Sequence, residues 1–156
     1  MVRVNDLYSY FGAIPNNRIP AIKGFVMVFN QDDLAEHIRN MNLFPAIVLV
    51  MPGAKTTSRD EDNIVDGSEC LLFVLKKLDL KNLATNGIIN EMDYLQNDVE
   101  KLKQLMVDDM HNHDTPGHLM HDLDPDGMTT EPEYNYLGCY GWSLAFMINR
   151  PGFDVK

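Results

Sequence analysis

The sequence predicts an α+β fold: a small, mostly antiparallel sheet with one long and one short helix packed on it, an extended N-terminal arm and long polar loops. Three observations predict it. Ile88, Met92, Leu95, Val99, Leu102 and Met106 are spaced 4, 3, 4, 3, 4, which lines six apolar side chains along one stripe of a single helix. Two apolar runs, 45–51 (PAIVLVM) and 68–76 (SECLLFVLK), have no crossover helix between them and so pair antiparallel. Residues 136–148 (YLGCYGWSLAFMI) alternate with period two, as a strand does.

Taken in order, residues 1–23 read as an irregular arm. Gly12, Pro15, Asn16, Asn17 and Pro20 break any helical period. Such an arm either wraps its own core or, through Tyr8, Tyr10 and Phe11, anchors on a neighbour. Residues 24–29 (GFVMVF) read as a strand. Asn30 then suits an N-cap, Asp32 and Asp33 suit a first turn, and Leu34, Ile38 and Met41 give a short helix that Asn42 and Pro45 end. His37 falls beside its apolar face. Residues 52–67, with the cluster Asp60-Glu61-Asp62, read as a long hairpin loop or two extended strand tips. Residues 83–110 hold the long helix. Residues 111–133 read as a polar loop rich in His, Asp, Pro and Gly, unusually long for a compact fold.

In the last strand, spanning 134–150, Tyr140, Trp142, Leu144, Phe146 and Ile148 share one face. Cys139, Gly141, Ser143, Ala145 and Met147 share the other, and their small size predicts a closely covered surface, with the long helix as the cover. Pro151-Gly152 ends the strand. The 156 residues make one domain: the arm 1–23, a strand-helix-strand-strand-helix unit 24–110, the loop 111–133 and the final strand 134–150.

Charge narrows the function classes. With 13 Lys+Arg against 23 Asp+Glu, the net charge is −10. That balance argues against sequence-specific nucleic-acid binding and against adsorption to anionic membranes. It suits a surface that a polyanion passes without sticking. Residues 1–10 have no apolar core of the kind a signal peptide needs. Cys70 and Cys139 both sit in apolar, strand-like context and read as buried small hydrophobes more readily than as a disulfide.

The sharpest local motif runs from Asp122 to Glu133. Asp122, Asp124 and Asp126 precede Gly127, and Glu133 stands at the twelfth position, the spacing of a calcium-binding loop. Three carboxylates would converge on a hard cation, Gly127 would allow the sharp turn, and Glu133 would close the shell. Thr129 at position eight, Pro132 just before Glu133 and a strand-like continuation depart from that pattern, so a solvated acidic turn is the competing reading. His111, His113, His118 and His121 cluster in the same loop with H-x-H and H-x-x-H spacing, open either to a transition metal or to solvent. There is no G-x-S-x-G elbow near Ser68, no P-loop and no G-x-G-x-x-G, so no catalytic residue is assigned. Asp60/Asp62 and Asp108/Asp109 read as solvated charge, and Trp142 as a core side chain.

The order of elements resembles the tail-terminator and tail-completion (neck) proteins of tailed bacteriophages. The likeness covers residues 30–150. It rests on a short helix, an apolar strand pair with a long polar tip (46–51 and 68–75), a long helix, and a final strand reading Tyr140-Gly-Trp-Ser-Leu-Ala-Phe-Met-Ile. The resemblance implies a structural virion protein, assembled in the host cytoplasm. It would form a ring with copies of itself, usually hexameric, between the tail tube and the head-tail connector. Residues 52–67 would reach a neighbour, and an acidic lumen would let DNA pass. No catalytic residue and no cofactor are implied. The residues themselves leave two other classes open. One is a Ca2+-binding interaction module using Asp122, Asp124, Asp126 and Glu133. The other is a small enzyme whose site would join the 111–121 loop to Asp60–Asp62.

Overall fold

Apolar runs of period two must bury a face, and the chain does this with five strands: β1 (Gly24–Val28), β2 (Ala46–Ser58), β3 (Ile64–Lys77), β4 (Leu123–Tyr136) and β5 (Cys139–Pro151). The computed structural model describes residues 2–58, 64–112, 114 and 118–151. The Asp60-Glu61-Asp62 cluster, His113 and Gly152 lie outside the described residues. The strands form one sheet in the order β1-β2-β3-β5-β4. Only β1 and β2 run parallel, joined by helix α2 (Gln31–Asn40). The other pairings are antiparallel, so the sheet is mostly antiparallel as predicted.

Helix α3 (Thr85–His111) carries the predicted stripe. Met92, Leu95, Val99, Leu102 and Met106 are all buried, and they pack with Leu72, Val74, Leu144, Phe146 and Ile148 of the sheet. The indole N–H of Trp142 donates to the Met92 carbonyl at 3.0 Å. The long helix therefore covers the aromatic face of β5, not the face of small residues that the sequence pointed to. Bulky side chains fill the space between helix and sheet. The small residue at 141 serves a different need. A Cβ on Gly141 would lie 1.9 Å from the Val74 carbonyl oxygen, so the close approach of β3 and β5 requires glycine there.

The opposite face is covered by α2. Leu34 and Ile38 pack there with Val28, Val48, Phe73 and Leu75. The predicted cap holds: Asn30 Oδ1 accepts from the Asp33 amide at 2.9 Å, and the Asp33 carboxylate accepts in return from the Phe29 amide at 3.0 Å. Cys70 and Cys139 are buried on opposite faces and are both free thiols.

Two further expectations are corrected. The first concerns the arm. Val4–Gly12 is a helix, α1, and its Leu7, Tyr10 and Phe11 are buried. Leu7, Tyr10, Phe11 and Ile14 follow the i, i+3, i+4, i+7 rule, and every breaker lies from Gly12 onward. The segment wraps its own core on the α3 face, with Phe11 and Phe146 ring centroids 5.8 Å apart.

The second concerns the 111–133 loop. Residues Leu119–Asp122 form a short 3-10 turn, and β4 begins at Leu123. A two-residue hairpin turn, Leu137-Gly138, joins β4 to β5 with φ of 51° and 80°, the left-handed pair that a tight hairpin uses. β4 is the sheet's outer strand and is interrupted by register shifts at 124–129 and 133–136. An edge tolerates the prolines and polar residues that disguised it.

Candidate functional site

The acidic motif lies on β4, and the strand pulls it apart. Asp124 stands opposite Met147, whereas Glu133 stands opposite Gly141, six positions along β5. At 3.2–3.4 Å per residue that is about 20 Å, too far for one cation shell. Each carboxylate has its own surroundings. Asp122 accepts from Arg150 Nε at 3.1 Å, and Arg150 also approaches Asp6 at 3.7 Å. Asp124 accepts from the Asp126 amide at 3.1 Å and from Asn149 Nδ2 at 3.4 Å. Asp126 is exposed, and Glu133 lies near Tyr136, whose phenol is raised by burial and by that negative charge.

The histidines do not converge either. His111 Nδ1 lies 2.9 Å from the Val107 carbonyl and His121 Nε2 lies 2.6 Å from that of Asn112, each a backbone hydrogen bond. His118 Nδ1 accepts from the Met120 amide at 3.2 Å, closing the 3-10 turn. Among the described residues no group of three or more His, Cys, Asp or Glu is placed to hold a metal ion.

What the strand does create is a charged edge. Residues 104–149 contain Asp108, Asp109, Asp114, Asp122, Asp124, Asp126, Glu131 and Glu133 and no Lys or Arg. Those eight carboxylates leave 15 acidic against 13 basic residues elsewhere, a balance of only −2. Nearly all the net charge is therefore carried by β4, its approach and the end of α3. Like charges, Pro125, Pro132 and bulges protect such an edge from pairing with another strand.

The opposite edge is different in kind. β1 has no charge and no proline. Beside it an open groove of about 480 Å3 runs between α1 and the start of β1, lined by Tyr8, Gly12, Pro15, Lys23, Phe25 and Leu43. Tyr8 and Phe25 meet edge to face with centroids 5.3 Å apart.

A third cluster ties the N-terminal segment to the end of α3. Arg18 grips Asp109 with two hydrogen bonds, at 2.6 and 2.7 Å, and the Tyr10 hydroxyl adds a third at 2.7 Å. The His118 ring lies against Tyr10 at 5.6 Å. Burial raises the Asp109 carboxyl, but the bonds from Arg18 and Tyr10 outweigh it and hold the group below the ordinary carboxylate range. Burial and the Asp109 charge together push the Tyr10 phenol far up. Two donors saturate one carboxylate here, so the cluster is a structural clasp.

Sequence reasoning missed this clasp, yet its signal is visible. Asp109 follows Met106 by three residues and so continues the buried stripe with an acid, which demands a buried cation or donor. Asp98 is a second buried acid on α3. Burial raises its carboxyl, and the Lys101 ammonium, 3.9 Å away, offsets that only in part. Thr130 Oγ1, whose strand position shares the face of Leu144, is buried without a hydrogen-bond partner among the described residues.

No protein-family model matches the sequence, and no curated protein matches it at a significant level. Among the described residues no helix is long and apolar enough to cross a membrane.

Proposed function

We propose that this chain is a structural virion protein, a tail terminator or neck component that assembles as a hexameric ring between the tail tube and the head-tail connector. The observation that carries the reading is the β2–β3 ladder. β1 stops at Val28, opposite Val50, but β2 and β3 continue as a pair from Gly53 opposite Glu69 to Ser58 opposite Ile64. Among the described residues one side of this extension of β2 has no strand beside it, which suits a projection that reaches a neighbouring subunit. The succession of short helix, extended strand pair and long helix supports the same reading, whereas β4, which precedes the final strand, is an addition to the pattern. The acidic β4 edge fits a surface turned to the lumen, where it repels DNA and lets the duplex slide through. The ring needs no cofactor and makes no sequence-specific contact with nucleic acid.

Two linked observations test the proposal. The genes flanking its own should encode capsid, portal and tail-tube proteins, and the purified chain should bind the tail-tube protein among them. Flanking genes of unrelated type, together with a chain that binds no tail-tube protein, overturn it.

A further inference from the structure

Among the described residues the outer side of β1 has no strand beside it, with an exposed knob at one end and a groove at the other. The Gly24 amide, in register with Ala46, donates to the Pro45 carbonyl on the β2 side at 3.3 Å, and the Lys23 amide shares that carbonyl at 2.8 Å, so the open stretch starts at Phe25. Alternate residues of a strand aim their amides and carbonyls in opposite directions, so Phe25 and Met27 aim theirs outward. The next outward amide, that of Phe29, is taken by Asp33 at 3.0 Å, which ends the open stretch. The Phe29 side chain is 67% exposed, and Tyr8 and Leu43 at the groove are 57% and 61% exposed.

We propose that β1 is a self-association edge, on which two copies of this chain pair antiparallel about a two-fold axis through Val26. A two-fold centred there matches residues whose numbers sum to 52. Phe25 then faces Met27 of the second copy, and their outward amides and carbonyls exchange hydrogen bonds. Lys23 faces the second copy's Phe29. Lys23 lines the groove, so each exposed phenyl arrives at the mouth of the other copy's groove, beside Tyr8 and Phe25. The charges agree as well. The Asp33 carboxylate sits on the Phe29 amide, and Lys23, whose ammonium donates to the Pro20 carbonyl of its own chain, stands across the axis from it with opposite charge. On a chain of net charge −10, this is an edge where two copies meet without opposing carboxylates, whereas two β4 edges repel. An isologous contact of this kind closes at two. It leaves the extension of β2 and β3 free and does not depend on the ring reading.

The test uses the full chain. Sedimentation velocity should show a monomer–dimer equilibrium in the micromolar range, about 1–100 μM, as befits a small interface. Phe29→Glu, an exposed change that spares the core, should weaken dimerisation about thirtyfold, the loss expected of an aromatic anchor seated at a groove. Val26→Cys gives the geometric readout. The two copies of residue 26 face each other as a non-hydrogen-bonded pair, with Cα atoms about 4.5 Å apart, within disulfide range. Mild oxidation should yield a cross-linked dimer of Val26→Cys much faster than of Tyr94→Cys, a control on the exposed side of α3. Cys70 and Cys139 are buried, so they contribute little background. A chain that stays monomeric over that range overturns the proposal. A dimer that Phe29→Glu leaves intact, or cross-linking of Val26→Cys no faster than the control, also overturns it.

Discussion

Removing the Asp109 carboxylate should loosen the N-terminal segment while leaving the sheet intact. Asp109 receives three hydrogen bonds, two from a guanidinium and one from a phenol, and its side chain is 11% exposed. Bonds to charged groups contribute about 1.5–3 kcal/mol each when buried. The Arg18 side chain is 32% exposed, so solvent screening lowers the ion-pair share. Asp109→Ala should then cost about 2–3 kcal/mol in all, or roughly 4–12 °C in Tm for a chain of this size. Urea unfolding gives the free energy, and a cycle with Arg18→Met isolates the coupling, expected at about 1 kcal/mol or more. The pH dependence has a definite sign. The folded-state pKa lies below the ordinary carboxylate value near 4, so the stabilisation is complete above that value and disappears as pH falls through the depressed one. Asp109→Asn should accordingly flatten the acid limb of the stability curve. Limited proteolysis should cut the variant first within residues 2–23. A variant within about 0.5 kcal/mol of the parent, or no coupling to Arg18, would refute the clasp.

Other expectations follow from the same geometry. Asp98 carries a raised carboxyl pKa on a buried helix face, so its charged form is disfavoured in the folded state. Asp98→Asn should stabilise the chain by up to about 1 kcal/mol at pH 7, and the gain should vanish below about pH 4, where the parent is protonated too; a loss of stability at pH 7 would contradict this. Gly141→Ala places a methyl into the Val74 backbone and should cost about 3 kcal/mol, seen as a fall in urea midpoint; near-neutral behaviour would mean the strands part easily. Excess calcium should leave Tm unchanged in a thermal-shift assay, because Asp124 and Glu133 lie at different ends of β4. A rise of several degrees would show that the carboxylates do gather.

The elements that were legible in the sequence are those whose burial is continuous. The stripe from Met92 to Met106, the run from Ala46 to Leu49 and the alternation from Leu144 to Ile148 each bury what their period demands. The cap at Asn30 was legible because it is local. α1 was hidden because its apolar stripe is short and ends among breakers, although Leu7, Tyr10, Phe11 and Ile14 keep helical spacing. β4 was hidden for an opposite reason. An outer strand needs few apolar residues, and its acids and prolines imitate a loop. That imitation also produced the calcium motif, whose spacing is right only if the chain coils instead of extending. The clasp at Asp109 joins residues 91 and 99 positions apart, so no local pattern encodes it.

Electron microscopy of reconstituted tail tubes tests the proposed ring most directly. If the proposal holds, tubes built from the tail-tube protein encoded beside the chain's gene, incubated with the chain and negatively stained, should carry a ring of six-fold symmetry on one end, with the DNA channel left open. Tubes whose ends stay bare while the chain remains dispersed in the background would contradict it.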